Sequence, residues 1–184
     1  MRLCFLIVVT CSALLISCKS NKAKSPIEKL KQLASAKDAN VGNLNFTFQL
    51  PQNWIRIDTA VQGLKATLLM PGHATDNFAP RINVTNEFMH GETHDEYIAN
   101  TKQYLINNND GIDLSDDGDF DVQGNRCRWY SYNKTQNGIK RQLVFYSIDV
   151  DGISYNITAG VFDGGLQQYK PLFDRLVKSF KLFN

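Results

Sequence analysis

Hydrophobic and polar positions divide the chain into stretches of different period. The first is a continuous apolar run from Leu3 to Ile16, broken only by Thr10, Ser12 and the thiols Cys4 and Cys11. It follows the basic Arg2 and is shorter than the roughly 20 residues a membrane-spanning helix needs, which is the pattern of a secretory signal core. Polar residues follow from Lys19 to Lys24. Ser25-Pro26-Ile27-Glu28 then has the form of a helix start, with Ser as N-cap, Pro at the first position and Glu closing a capping box. Ile27, Leu30, Leu33 and Ala34 fall at helical spacing, so a short helix is predicted that ends before Asn40-Val41-Gly42.

From residue 44 the period drops to two. Phe46, Phe48 and Leu50 alternate with Asn45, Thr47 and Gln49, which predicts a half-buried strand broken at Pro51-Gln52-Asn53. Trp54 to Ile57 resumes the strand pattern, Leu64 to Met70 repeats it before Pro71-Gly72, and Arg81 to Phe88 places Ile82, Val84, Asn86 and Phe88 on one face. Thr93-His94-Asp95-Glu96 is a second capping box. Tyr97, Ile98, Thr101, Tyr104 and Leu105 behind it form one stripe of an amphipathic helix, which ends at Asn107-Asn108-Asn109-Asp110-Gly111. The acidic stretch from Asp113 to Asp121 lacks alternation and reads as a loop.

The second half predicts a β-meander punctuated by Gln123-Gly124, Asn137-Gly138 and Asp151-Gly152. The last two are strong hairpin signals, because both central positions of a type I′ turn need positive φ. Arg141 to Val150 is apolar on both faces, as in a strand covered on both sides. Ile153 to Val161 alternates, with Ile153, Tyr155, Ile157, Ala159 and Val161 facing one way. A final helix carries Leu166, Tyr169, Leu172, Phe173, Leu176, Val177 and Phe180; Pro171 implies that it begins near Tyr169 or that a short turn precedes it.

These elements predict an α+β fold: an antiparallel sheet with helices packed on it, an αβα-type sandwich. Phe46 to Trp54, with Phe48-x-x-Pro51-x-x-Trp54 inside it, resembles the opening motif of PsbP-like and DcrB-type domains. Phe173 to Lys181, with Ser179-Phe180, is similar to the segment that closes the last helix of the same superfamily. The resemblance runs from about Leu44 to Leu182. It implies a fold, and membership among extracytoplasmic lipoproteins and photosystem subunits that mostly act as binding or accessory components. Its motifs are packing and turn features and carry no chemistry of their own.

Charge and cysteine usage refine the picture. The apolar run closes in Leu15-Ile16-Ser17-Cys18, which resembles a lipobox. Residues 1–17 are therefore expected to be a lipoprotein signal peptide, 18–43 a lipidated Cys18 with tether and short helix, and 44–184 the folded domain. A multiply acylated cysteine is a stable membrane anchor, so membrane lipid is one expected partner; an ordinary leader with Cys18 as a free thiol is the alternative. Lys19 follows Cys18 in place of the aspartate of inner-membrane retention signals, and no acidic run resembling a surface-export signal follows. The expected location is the outer membrane, facing the periplasm. Lys19, Lys22, Lys24, Lys29 and Lys31 could rest on anionic headgroups. The net charge of +2 gives no reason to expect nucleic acid. Only Cys127 stays in the folded region, as a small buried hydrophobe, and no intramolecular disulfide is available to it.

The candidate chemistry is sparse. His90 and His94 stand near Glu92, Asp95 and Glu96, but not on one helical face as a zinc helix would need. Asp113, Asp116, Asp117, Asp119 and Asp121 invite calcium, yet the EF-hand register puts Ile106 at its first position and Asp117 at its last. No metal site and no cofactor are expected, although a calcium loop of another kind stays open. Arg126, Arg128, Tyr130 and Tyr132 share one strand face with Lys134, and Gln142 and Tyr146 are expected beside them. This face is the candidate ligand-binding site, since Arg and aromatic residues dominate interface energetics. No nucleophile elbow, P-loop, H-E-x-x-H or dinucleotide motif occurs, so no catalytic residues are assigned. The expected function is a membrane-anchored binding or accessory module of the cell envelope, taking an envelope protein or small molecule. The alternative is an envelope hydrolase using His73 or His94 with distant acids.

Overall fold

A computed structural model of the chain describes residues 45–61, 64–73, 79–136 and 138–183. The expected leader, tether and first helix, and Asn137 of the second hairpin, lie outside the described residues. The elements are β1 (Phe46–Thr47), β2 (Trp54–Val61), β3 (Leu64–Pro71), β4 (Arg81–Phe88), α1 (His94–Asn107), β5 (Ile112–Val122), β6 (Asn125–Gln136), β7 (Ile139–Val150), β8 (Ile153–Phe162), α2 (Leu166–Lys178) and β9 (Lys181–Leu182).

Strands β2 to β8 form one seven-stranded sheet in the order β2-β3-β4-β8-β7-β6-β5, antiparallel throughout. The meander β5 to β8 runs back across the sheet until β8 closes on β4. The turns follow from their sequences. Gln123 and Gly124 take φ of 54° and 83°, and Asp151 and Gly152 take 51° and 79°, so both hairpins turn with two consecutive positive φ values. Asp149 Oδ1 accepts the Gly152 amide and Asp121 Oδ1 accepts that of Gly124, each tying its hairpin across the corner.

The two described helices cover opposite faces, which is why β7 is apolar on both. On one face Phe173, Leu176 and Val177 of α2 meet Val144, Tyr146, Ile148 and Ile157. On the other, Tyr97, Ile98 and Leu105 of α1 meet Tyr130, Tyr132 and Phe145. The capping box of α1 forms as its sequence predicts: Thr93 Oγ1 receives the Glu96 amide while Glu96 Oε2 accepts from the Thr93 amide at 2.8 Å. The Thr93 amide thereby holds the Glu96 carboxyl below the usual carboxylate range.

The motifs that resemble PsbP-like domains meet in space. β1 pairs with β9, Phe46 stacks on Phe180 with ring centroids 5.8 Å apart, and Phe48 lies 5.6 Å from the same ring. The Gln49 amide donates to Ser179 Oγ at 2.9 Å, so the strand expected through Leu50 leaves the β-ladder after Thr47. Opening and closing segments are two halves of one aromatic cluster.

Two further expectations need correction. Residues Asp113 to Asp121 are not a loop but edge strand β5, with a bulge between Leu114 and Asp116. The bulge changes which face even-numbered residues occupy: Leu114 stands opposite Tyr132 on the α1 face, while Phe120 stands opposite Cys127 on the α2 face. That shift removes the simple alternation from the sequence. Charges on an edge strand also protect it from pairing with other chains. Second, α2 runs unbroken from Leu166 with Pro171 inside it. Its first turn closes through the Gln168 and Tyr169 amides on the Gly165 carbonyl. The carbonyl that Pro171 leaves unpaired belongs to Gln167, which is exposed and can be hydrated. Trp54 is half-buried at the start of β2, packed against the margin of the main core.

Candidate functional site

The site is built where the N-terminus of α1 crosses β6, β7 and β8. Thr93 fixes the first turn, so His94 and Tyr97 both point down onto the sheet and Asp95 points outward along it. Pairing of Tyr130 with Phe145 sets even-numbered residues of β6 beside odd-numbered residues of β7. The expected neighbours Gln142 and Tyr146 therefore belong to the opposite face. Tyr146 donates to Asp174 of α2 at 2.7 Å, and Gln142 Oε1 accepts the Leu166 amide at 3.0 Å. Leu143, Phe145 and Ser147 take the places expected for them.

The candidate ligand-binding residues separate by depth. Tyr130 and Tyr132 are 1 % and 3 % exposed beneath α1. Burial pushes both phenols well above the usual tyrosine range. Tyr130 stacks on Phe145 at 4.9 Å and lies 5.3 Å from Lys102 Nζ. Lys134 is also buried; it donates to Asn109 Oδ1 at 3.0 Å, and desolvation pulls its ammonium below the usual lysine range. Arg126 and Arg128 reach the surface and close on the first turn of the helix. Asp95 receives Arg126 at 3.1 Å and Arg128 at 2.6 Å, and Asp119 of β5 receives Arg126 at 3.0 Å. Further along α1, Lys102 pairs with Asp117, and its ammonium holds that carboxyl below the usual carboxylate range. The charged ring is thus the clasp that ties α1 to the sheet edge, with Arg126 half exposed at its rim.

Beneath the clasp runs a buried polar chain that sequence spacing could not reveal, because its members come from four separate elements. His94 Nε2 lies 2.8 Å from Ser147 Oγ, which lies 2.7 Å from Ser154 Oγ. Ser154 donates to Asn156 Oδ1 at 2.7 Å. Asn156 Nδ2 donates to Glu87 Oε1 at 3.0 Å and to Tyr97 Oη at 2.6 Å, and Tyr97 Oη donates to Glu87. A carboxylate only accepts, so the chain has one direction. With Ser154 donating to Asn156, Ser147 must donate to Ser154, and His94 must donate to Ser147 through Nε2–H. Neutral His94 therefore carries its proton on Nε2 and leaves Nδ1 bare; Nδ1 is buried without a partner. A second proton would create a buried donor with no acceptor. Desolvation accordingly holds the imidazole below the usual histidine range, against the pull of Asp149 and Asp95 and with help from Arg126 and Arg128.

This geometry bears on catalysis. A histidine that donates to a serine cannot take that serine's proton. Ser147 and Ser154 are both 0 % exposed, so no substrate reaches either hydroxyl. His90 lies outside the chain, beside an open hollow of about 490 Å³ lined by Glu92, Glu96 and Asn100. His73 is exposed in the turn after β3. Among the described residues no three His, Cys, Asp or Glu side chains converge as metal ligands. No helix among them is long and apolar enough to cross a membrane.

Sheet order, the two covering layers and the paired terminal motifs together define a PsbP-like fold. The solved structures that share it come from distant organisms. LpqN of Mycobacterium tuberculosis, described as involved in cell envelope biogenesis, superposes with a TM-score of 0.58 at 12% identity, over 78% of this chain and 87% of that one. Cyanobacterial PsbP from Synechocystis sp. PCC 6803 gives 0.55 at 14% identity over 78% and 96%. The Ran-binding protein Mog1p of Saccharomyces cerevisiae gives 0.53 at 11% identity over 75% and 90%. No protein-family model and no curated protein matches the sequence.

Proposed function

We propose that the chain is an extracytoplasmic lipoprotein, anchored through acylated Cys18, whose domain is a binding or accessory module of the cell envelope and not an enzyme. The observation that carries this reading is the direction of the polar chain. Ser147, which His94 touches, is sealed, and its proton points away from the base, whereas the chemistry presented to solvent is the clasp of Arg126, Arg128, Asp95 and Asp119. Such a clasp recognises by exchange: a partner carboxylate that takes the place of Asp95 keeps both guanidinium groups paired. Tyr130 and Tyr132 serve as the packed floor that fixes the two arginines. The envelope role of LpqN supports the same setting, as does the lipobox-like Leu15-Ile16-Ser17-Cys18. Lys19 after the acylated cysteine favours the outer membrane, facing the periplasm.

The test has separable parts. Metabolic labelling with a palmitate analogue should mark the wild-type chain and not Cys18→Ser. Protease shaving of intact cells should leave the domain uncut, and digestion would place it on the surface. Capture of lipidated protein from membranes should recover a partner that Arg126→Glu loses. Retention of that partner by Arg126→Glu would remove the clasp from the binding site.

A further inference from the structure

The first turn of α1 carries two anchors on neighbouring residues. His94 donates down to Ser147 through Nε2–H, and Asp95 reaches along the surface to Arg126 and Arg128. The next hold is Tyr97, fixed to Glu87 and Asn156. Its ring belongs to the cluster of Ile98, Leu105, Tyr130 and Phe145, so the helix from Tyr97 onward is kept down by apolar contact. The capping bonds between Thr93 and Glu96 run within the turn and add no hold on the sheet. Among the described residues, the polar ties of the turn to the sheet are thus one neutral hydrogen bond and the ion pairs of Asp95. That carboxylate is 58 % exposed, and ion pairs at such exposure contribute little.

Ser147, Ser154 and Asn156 fix the direction of the His94 bond, so a second proton goes to the buried Nδ1, where no acceptor stands. Charged groups face the ring from three elements: Asp95 from its own helix, Arg126 and Arg128 from β6, and Asp149 from β7. β8 contributes Ser154, and β4 contributes Glu87 at the far end of the polar chain. We propose that protonation of His94 lifts the first turn of α1 and opens the clasp. An imidazolium that stays on the sheet buries an unpaired N–H, whereas the lifted turn gives that N–H to water. His94 and Asp95 are adjacent in one turn, so the histidine cannot leave without drawing Asp95 off the arginines. Arg128 then loses its carboxylate, and Arg126 keeps Asp119. Tyr97 stays on Glu87 and Asn156. The turn therefore unwinds at that point, and the Tyr97 amide loses the Thr93 carbonyl that it meets at 2.9 Å.

Burial sets the sign. In the open turn the imidazole titrates near its ordinary 6.5; in the closed turn desolvation holds it lower. Between those values the open form binds more protons, so opening is insensitive to pH above about 6.5 and gains as pH falls beneath it. At pH 5.5, one unit below, the opening constant rises by up to about tenfold. An anion that needs the open form binds more tightly by the same factor. Acid opening deepens the binding-module reading, on which its consequence for a partner rests: the clasp would admit a carboxylate more readily in acid.

Amide exchange read by NMR on the mature chain with Cys18→Ser tests the opening without any dependence on lipid. At pH 7.5 the Tyr97 amide should already be less protected than that of Leu105, the mark of a turn that opens alone. After correction for the intrinsic effect of pH, it should exchange about three- to tenfold faster at pH 5.5. His94→Gln, whose amide can still donate to Ser147, should show no such change. An unaccelerated Tyr97 amide in wild type overturns the proposal, and so does equal acceleration in His94→Gln. Equal protection of Tyr97 and Leu105 overturns it as well, because the turn would then open only with the whole domain. A tetra-aspartate peptide probes the arginines. It should bind wild type about three- to tenfold more tightly at pH 5.5 than at pH 7.5, and His94→Gln equally at both. Binding to wild type without that difference overturns the coupling of His94 to the clasp. No binding at either pH, with Tyr97 exchange accelerated, upholds the opening and removes the clasp as a carboxylate receptor, so the two readings fail separately.

Discussion

The indole of Trp129 lies against Gly118, its partner across the β5–β6 ladder, so closely that a β-carbon at 118 would come within 3.1 Å of Cε2, Cζ2 and Nε1. Lys170 Nζ stands 3.8 Å from the indole centroid and is itself held by Asp174 at 2.9 Å. Gly118 thus makes room for a ring that ties the edge strand to α2. Alanine normally suits a strand better than glycine by about 0.5–1 kcal/mol, and overpacking costs about 1–3 kcal/mol. Gly118→Ala is expected to destabilise by about 1 kcal/mol net in a denaturant melt. A stabilised variant would mean that the half-buried ring yields without cost.

His94 makes stability depend on pH. Its folded pKa lies below the unfolded value of 6.5 because burial disfavours the imidazolium. Between those two values the unfolded chain binds more protons than the folded one, so stability falls as pH falls through the window beneath about 6.5 and is flat above it. Urea melts at about pH 7.5 and 5.5 should differ for wild type. His94→Gln, whose amide can still donate to Ser147, should lose that difference. An equal pH slope in both proteins would assign it to other groups.

Arg126 separates binding from folding. Its partners Asp95 and Asp119 are 58 % and 52 % exposed, and ion pairs at such exposure contribute little. Arg126→Ala should therefore move the melting temperature by no more than about 2 °C. A partner lost by this variant is lost at the interface and not through unfolding. A larger drop would show the clasp to be structural.

Much of the fold was legible because local signals agreed with it. The capping box at Thr93, the apolar stripes of α1 and α2, the two-sided β7 and the Asp151-Gly152 turn each predicted their own geometry. The misreadings have specific causes. Bulged β5 hides its alternation, and Pro171 sits where a single exposed carbonyl can do without its donor. The parity of β7 against β6 is set by the turn between them, which placed Tyr146 on the wrong face in a reading from strand patterns. The polar chain from His94 to Glu87 was out of reach for a deeper reason. Ser147, Ser154 and Asn156 are ordinary strand residues until three-dimensional pairing stacks them. Arg126 and Arg128 could be selected from their strand face, but their carboxylate partners on α1 and β5 could not.

Trp54 measures how far the opening motif depends on burial. It follows the turn in which its amide donates to the Pro51 carbonyl at 3.1 Å, and it packs at the margin of the main core. Full burial would make Trp54→Ala cost about 3–5 kcal/mol. Half-burial lowers the expectation to about 2 kcal/mol, read from the denaturation midpoint of residues 19–184. A value near the upper range would mean that the strand start collapses with the ring.

Cys127 offers a test of cooperativity across the sheet. It is 0 % exposed, stands opposite Phe120 on β5 and Ile148 on β7, and is the only thiol in residues 19–184. Burial pushes the thiol far above its ordinary pKa, with the Asp174 carboxylate adding to the shift. Since the thiolate is the reactive form, the native protein should resist a disulfide reagent at neutral pH. Labelling can then proceed only through opening of the structure. β5 is the edge strand and has the single neighbour β6, so local fraying there would expose the thiol before the rest unfolds. Phe120 and Val122 bind that edge into the main core, and the Trp129–Gly118 contact adds to the hold. The expected result is that labelling and tryptophan fluorescence share one midpoint in a denaturant series. Labelling that runs ahead of fluorescence would show that β5 opens on its own.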